Sequence, residues 1–183
     1  MKKNIIALLT VALFTSLSLF ATVTTETLPD AKNLTLNTSI AGINYMALTQ
    51  DAIGGNTVAA YNTVIAHPVS DKTITSSANT GTIAYLNVLS NRRTGFKVTM
   101  TATALAGTSG NNYKINYTVT AGSNATFNTA NGSSNVNNTV SSSNLTGLTG
   151  YSYAVSAQVN AAEYAAALED NYTGTVTFTY SAI

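Results

Sequence analysis

The chain has 183 residues, eight of them Lys or Arg and seven Asp or Glu, for a formal net charge of +1. So few charges provide no basic stripe to neutralise a run of phosphates, which argues against a nucleic-acid partner. Cysteine is absent, which removes thiol nucleophiles, thiolate metal sites and disulfides, so stability must come from packing and sheet hydrogen bonds.

Lys2 and Lys3 precede an apolar run from Asn4 to Phe14 that Thr15, Ser16 and Ser18 interrupt. A basic edge before a short apolar core is the pattern of a secretory signal peptide, and the run falls short of the roughly 20 apolar residues a spanning helix needs. Residues 1–21 are therefore expected to be a leader, cut after Ala21, with Ser18 as the other small-residue position. Residues 22–183 then form a single domain large enough for a sizeable core. Export to the cell surface, the periplasm or the medium follows.

Shortly after the leader, Lys32 to Ile40 reads KNLTLNTSI and alternates in character. The alternation at Leu34 and Leu36 predicts burial in a sandwich core, either the chain's own or a neighbour's. From Ala52 to His67 the pattern is less legible, with Gly54-Gly55 as a break and Val58 to Ile65 expected as a strand. Ile83 to Val88 is apolar on both faces, as in a strand covered on its outer side or lying at a contact surface. Phe96 to Ala102 sets Phe96, Val98, Met100 and Ala102 against Lys97, Thr99 and Thr101. Tyr113 to Thr120 and Tyr151 to Val159 repeat that design, and Gly174 to Tyr180 is the last strand. AGTSGNN, from Ala106 to Asn112, is a hairpin connection between the strands that begin at Phe96 and Tyr113. Ala121 to Gly150 is low in complexity, with Phe127, Val136, Val140 and Leu145 expected to pin an irregular or edge strand. Ala161 to Leu168 is expected as a helical turn, and Tyr172 as a corner residue whose hydroxyl bonds back to the main chain. Tyr117 and Tyr153, on dry faces, are expected in the core. The fold class is all-β, an antiparallel sandwich.

Constellations for catalysis are scarce. His67 is the only histidine, so a His pair for a metal or a proton relay is excluded, and its neighbour Pro68 suits a loop or strand end. No nucleophile-elbow pattern accompanies it. Glu163, Glu169 and Asp170 form the best carboxylate group; they could serve glycoside chemistry or bind calcium, but they read better as a charged turn that keeps the chain soluble. Arg92-Arg93 reads as a solvated turn. The Asn-x-Thr matches at Asn33, Asn116, Asn124, Asn144 and Asn171 are what chance provides in a chain rich in Asn and Thr. The expectation is a protein that is no enzyme and takes no metal or organic cofactor.

KNLTLNTSI at the mature start and NYTGTVTFTY, Asn171 to Tyr180, at the close resemble the ends of alpha-type chaperone-usher fimbrial major subunits. Leu89-Ser90-Asn91 and Thr94 to Met100 are similar to a stretch shared by those pilins and by spore-coat-U-like secreted sandwiches. The resemblance implies an immunoglobulin-like sandwich that lacks one strand and is completed by the N-terminal extension of the next subunit. Residues 22–41 would be the donor, with Leu34, Leu36 and Ile40 as plugs and Thr38 as a small one. Asn33, Thr35, Asn37 and Ser39 would face water. The implied partners are copies of the chain, a periplasmic chaperone and an outer-membrane usher, with a host or surface ligand for the finished assembly. Such pilins usually continue with a proline-containing bend, whereas Ala41 to Tyr45 contains none. The other reading is a self-complete sandwich with KNLTLNTSI as its own first strand and the loops of 121–150 engaging a glycan or protein. An exported hydrolase ranks third.

Overall fold

The computed structural model describes residues 35–74 and 81–183. Residues 1–21, Leu34 and the rest of the segment before it lie outside the described residues. The chain divides into two compact units, residues 1–39 and 40–183. Of the first unit, residues 35–39 are described and carry no strand or helix.

Residues 40–183 build an all-β, sandwich-like fold from antiparallel sheets. The elements in chain order are β1 (Asn44–Thr49), α1 (Val58–Ile65), β2 (Thr82–Ser90), β3 (Phe96–Ala102), β4 (Leu105–Gly107), β5 (Lys114–Ile115), β6 (Tyr117–Ala121), β7 (Ala125–Asn128), β8 (Thr139–Ser142), β9 (Thr149–Val159), α2 (Ala161–Ala166), β10 (Tyr172–Thr173) and β11 (Val176–Ala182). One layer is a five-stranded sheet in the order β1-β2-β9-β6-β7. The other consists of β11-β3-β8 and β10-β4-β5. These two lie end to end, because β3 runs on into β4 and β10 into β11, with Thr103 N–H donating to Thr175 O (3.0 Å) at the junction.

The period of two written into the sequence sets which side chains meet. In β3, Phe96, Val98 and Met100 are buried while Lys97 and Thr101 stay in water, as a strand with one wet face requires. These three join Leu86 and Val88 of β2, Val119 of β6 and Val155 of β9 in one core between the layers.

Two expectations are corrected here. Val58 to Ile65 is a helix. Thr57 caps it, its side-chain oxygen accepting from Ala60 N–H (3.1 Å), and Tyr61 and Val64, three apart, share the buried face. That face covers the outer side of β1 and β2, which explains why β2 is apolar on both faces: Leu86 and Val88 enter the core, while Asn87 and Leu89, pointing the other way, are also 0% exposed. The second correction concerns Tyr113 to Thr120. This run is two strands on different layers, with β5 pairing with β4 and β6 with β7 and β9. The chain changes sheets at Asn116, where the ladder has no partner to offer. The Glu163 carboxylate replaces it, accepting from both the backbone N–H and the Nδ2 of Asn116. Asn160 N–H donates to Asn116 O (2.8 Å), and Thr129 Oγ1 donates to Asn116 Oδ1 (3.0 Å). Every polar group at the corner is thereby satisfied.

The polar stretch after Ala121 contributes β7 and β8, pinned by buried Phe127, Val140 and Leu145, whereas Val136 is 84% exposed. The expected helical turn is α2, capped by Asn160 Oδ1 accepting from Ala162 and Glu163 N–H. Tyr172 is the corner residue expected, its hydroxyl donating to Leu168 O (3.0 Å).

Candidate functional site

The two long edges of this sandwich are finished to different degrees. At the β7–β8 side, Ala125, Phe127 and Val140 are buried, and the backbone from 137 to 138 stitches the layers together, Thr126 N–H donating to Asn137 O and Met100 N–H to Asn138 O. At the opposite side stand β1, whose one ladder is with β2, and β11, whose one ladder is with β3, among the described residues.

Register identifies the core-facing residues of these two strands. Met46 and Leu48 pair with Val88 and Leu86, both core residues, so they share the inner face. Val176, Phe178 and Tyr180 pair with Ala102, Met100 and Val98 and do the same. Yet Leu48 is 36% exposed, Met46 is half-buried, and Val176, Phe178 and Tyr180 are all half-buried. Five apolar or aromatic side chains thus point inward at an edge where nothing fully covers them, and β11 presents an unpaired row of backbone groups beside them.

Cover on this side is partial. Gln50 N–H donates to His67 O (2.9 Å) and Val69 N–H to Leu48 O (3.5 Å), which blunts the C-terminal end of β1. At the other end the Tyr180 hydroxyl donates to Asn44 Oδ1 (2.8 Å), tying one edge strand to the other. The Tyr180 ring stacks on Phe96 at a centroid distance of 5.9 Å.

The candidate donor residues fall as follows. Leu34 lies outside the described residues. Leu36 is 84% and Ile40 86% exposed, and Thr38 is exposed. Residues 35–43 form no strand, and the first strand of the five-stranded sheet is Asn44–Thr49 instead. KNLTLNTSI over its described part is therefore not the chain's own first strand. The lead into β1 is held by Asn91, which donates from Nδ2 to Ala41 O (2.9 Å) and accepts at Oδ1 from Ile43 N–H (2.7 Å).

Beside that lead, a cleft of about 610 Å³ opens between the start of β1, the β2–β3 turn and the loop before β9. Ile40, Ile43, Leu145 and Leu148 supply its apolar surface and Arg92 and Arg93 its charge.

The residues weighed for chemistry are dispersed. His67 Nδ1 lies 2.7 Å from Asp51 Oδ2 on the surface. Glu163 is committed to the Asn116 corner. Asp170 fastens the 108–111 loop, accepting from the Ser109 hydroxyl (2.6 Å) and backbone N–H, and from Asn111 Nδ2. The Ser109 hydroxyl chiefly holds the Asp170 carboxyl below its usual range against the opposing cost of desolvation, with the Ser109 and Asn171 N–H groups adding to the lowering. Among the described residues no three His, Asp or Glu side chains are grouped to hold a metal ion. Tyr117 is 3% exposed and lies in the core. Tyr153 is half-buried against the core, and burial, with Tyr151 beside it, pushes its hydroxyl up to about 12.

Sequence reasoning missed Met46 and Leu48, since Tyr45 and Ala47 on the other face are also apolar and blur the alternation. Comparison with family models, with curated proteins and with solved structures returns no match.

Proposed function

We propose that the chain is a structural subunit of a surface fimbria or similar extracellular assembly, polymerising by addition of one copy's N-terminal strand to the next copy's sandwich. The observation that carries this reading is the unfinished β1–β11 side: Met46, Leu48, Val176, Phe178 and Tyr180 face inward and stay partly wet, while the far side is sealed. An alternating segment with Leu34, Leu36, Thr38 and Ile40 on one face supplies what that side lacks, apolar side chains for the gap and backbone groups for the free edge of β11. Its described plugs, Leu36 and Ile40, are exposed on their own chain and so are available to another. Export, with a periplasmic chaperone covering the free edge and an outer-membrane usher placing the subunit, is the cellular setting this reading requires.

The test is the double change Leu34→Asp, Leu36→Asp in the mature chain. Burying each leucine contributes about 1.5–3 kcal/mol, so losing both and adding two charges removes strand addition altogether. Sedimentation should show monomers that keep the wild-type β-sheet circular dichroism and bind an added peptide of residues 22–41. Normal polymers from the double variant would refute the proposal.

A further inference from the structure

We propose that the cleft at Arg92 and Arg93 is the seat of the acidic stretch Glu26-Thr27-Leu28-Pro29-Asp30 of an incoming copy, which locks the donated strand at one end. The inference rests on the strand-addition reading and adds to it a second, charged contact outside the sheet.

Three observations lead to it. The first is direction. Every strand pair described in this fold is antiparallel, and a strand added antiparallel to β11 starts where β11 ends. That end abuts the β2–β3 turn, since Ile183 N–H donates to Gly95 O (3.3 Å) and Gly95 N–H to Arg92 O (2.9 Å). The N-terminal side of a donor beginning at Leu34 therefore emerges beside Arg92 and Arg93.

The second is complementarity. Among the described residues neither arginine has a carboxylate within ion-pair distance, a geometry that His67 and Asp51 meet. Both arginines line a cleft whose apolar residues are Ile40, Ile43, Leu145 and Leu148, and the last three remain when Ile40 is donated to the next copy. Glu26, Leu28, Pro29 and Asp30 present the reciprocal set, two carboxylates around an apolar pair.

The third is termination of pairing. Pro29 has no N–H and cannot continue a ladder along β11, so the chain leaves the sheet edge at that point. Three residues, Ala31, Lys32 and Asn33, separate Asp30 from Leu34, and the four steps span roughly 13 Å when extended, which is long enough to step from the end of the sheet to the cleft.

The experiment measures the critical concentration for assembly of the mature wild-type chain by light scattering. Its comparators are Arg92→Gln, Arg93→Gln; Glu26→Gln, Asp30→Gln; and all four changes together. Two solvent-exposed ion pairs predict that each double variant raises the critical concentration about three- to tenfold at low salt. The quadruple variant should rise no further, and 0.5 M NaCl should erase the differences. All four positions are replaced by neutral polar side chains, so circular dichroism should stay at the wild-type signal. If the wild type assembles and either double variant lies within twofold of it, or the quadruple effect is the product of the two, the cleft does not hold this stretch and strand addition still stands. A loss with the arginine variant alone would mean that a different anion occupies the cleft, which also overturns the proposal. No assembly by the wild type at all would remove strand addition and this inference together.

Discussion

Asn87 is the most heavily used polar side chain in the interior, and replacing it by leucine tests the account of how β1 is held. It is 0% exposed. Its Nδ2 donates to Thr49 Oγ1 (2.6 Å) and Asp51 O (2.8 Å), and its Oδ1 accepts from Ile53 N–H (3.0 Å). Asn87→Leu keeps the branched shape and the number of heavy atoms, although its methyls need somewhat more room, and removes all three bonds. Thr49 Oγ1 still donates to Asp51 O (2.7 Å), so those two atoms stay partnered and Ile53 N–H is the group left orphaned. Three net hydrogen bonds at about 1 kcal/mol each and one orphaned donor, offset by the apolar gain of leucine, give a loss of about 3 kcal/mol. That corresponds to a fall of about 6–12 °C in Tm for a domain of this size. The chain has ten tyrosines and no tryptophan, so urea unfolding is followed by tyrosine fluorescence and far-ultraviolet circular dichroism. A lower midpoint at unchanged slope is expected. Thr49→Val, which removes the bond from Asn87 Nδ2 and the hydroxyl's own bond to Asp51 O, should cost about 2 kcal/mol. If Asn87→Leu unfolds within 0.5 kcal/mol of wild type, the network does not hold the 50–53 turn against β2, and the reasoning fails.

Local geometry gives three further tests. The Asp170 carboxyl is held below its usual 3.8, so it contributes stability that is complete above that value and is lost as pH falls through the lower, folded one; Asp170→Asn should flatten the Tm-against-pH curve below pH 4, and an unchanged acid limb would contradict this. Removing the corner hydroxyl with Tyr172→Phe should cost about 1 kcal/mol in urea unfolding, with no change expected in the fold by circular dichroism. Gly95 has a φ of +98°, and a Cβ there would lie 2.0 Å from Ser142 O; Gly95→Ala should lower stability by about 2 kcal/mol or more, and a neutral result would mean that the β2–β3 turn does not hold this backbone conformation.

The strands that were legible in the sequence are those with one wet and one dry face. Phe96 to Ala102 alternates cleanly because its inner side meets the core and its outer side meets water, and the structure places β3 at the same limits. Tyr151 to Val159 succeeds for the same reason, as β9. Val58 to Ile65 failed because Val58, Thr63, Val64 and Ile65 favour strand locally, while what settles the segment is burial of Tyr61 and Val64 on the back of a sheet. Met46 and Leu48 were invisible as site residues because an incomplete edge leaves no mark in a strand's own alternation.

Composition and patterning by themselves determined that this chain folds as packed antiparallel β-structure without thiol chemistry, and where most of its strands run, since each of these depends on the local alternation of apolar and polar side chains. Which strands become neighbours was decided only by the tertiary structure. A single run from Tyr113 to Thr120 crosses between layers because Glu163, 47 residues after Asn116, reaches back to satisfy the corner. The unfinished β1–β11 side is likewise a property of the assembled sheets. Whether an inward-facing Phe178 is covered depends on the strand that would lie next to it, and no residue near it in the chain can supply that.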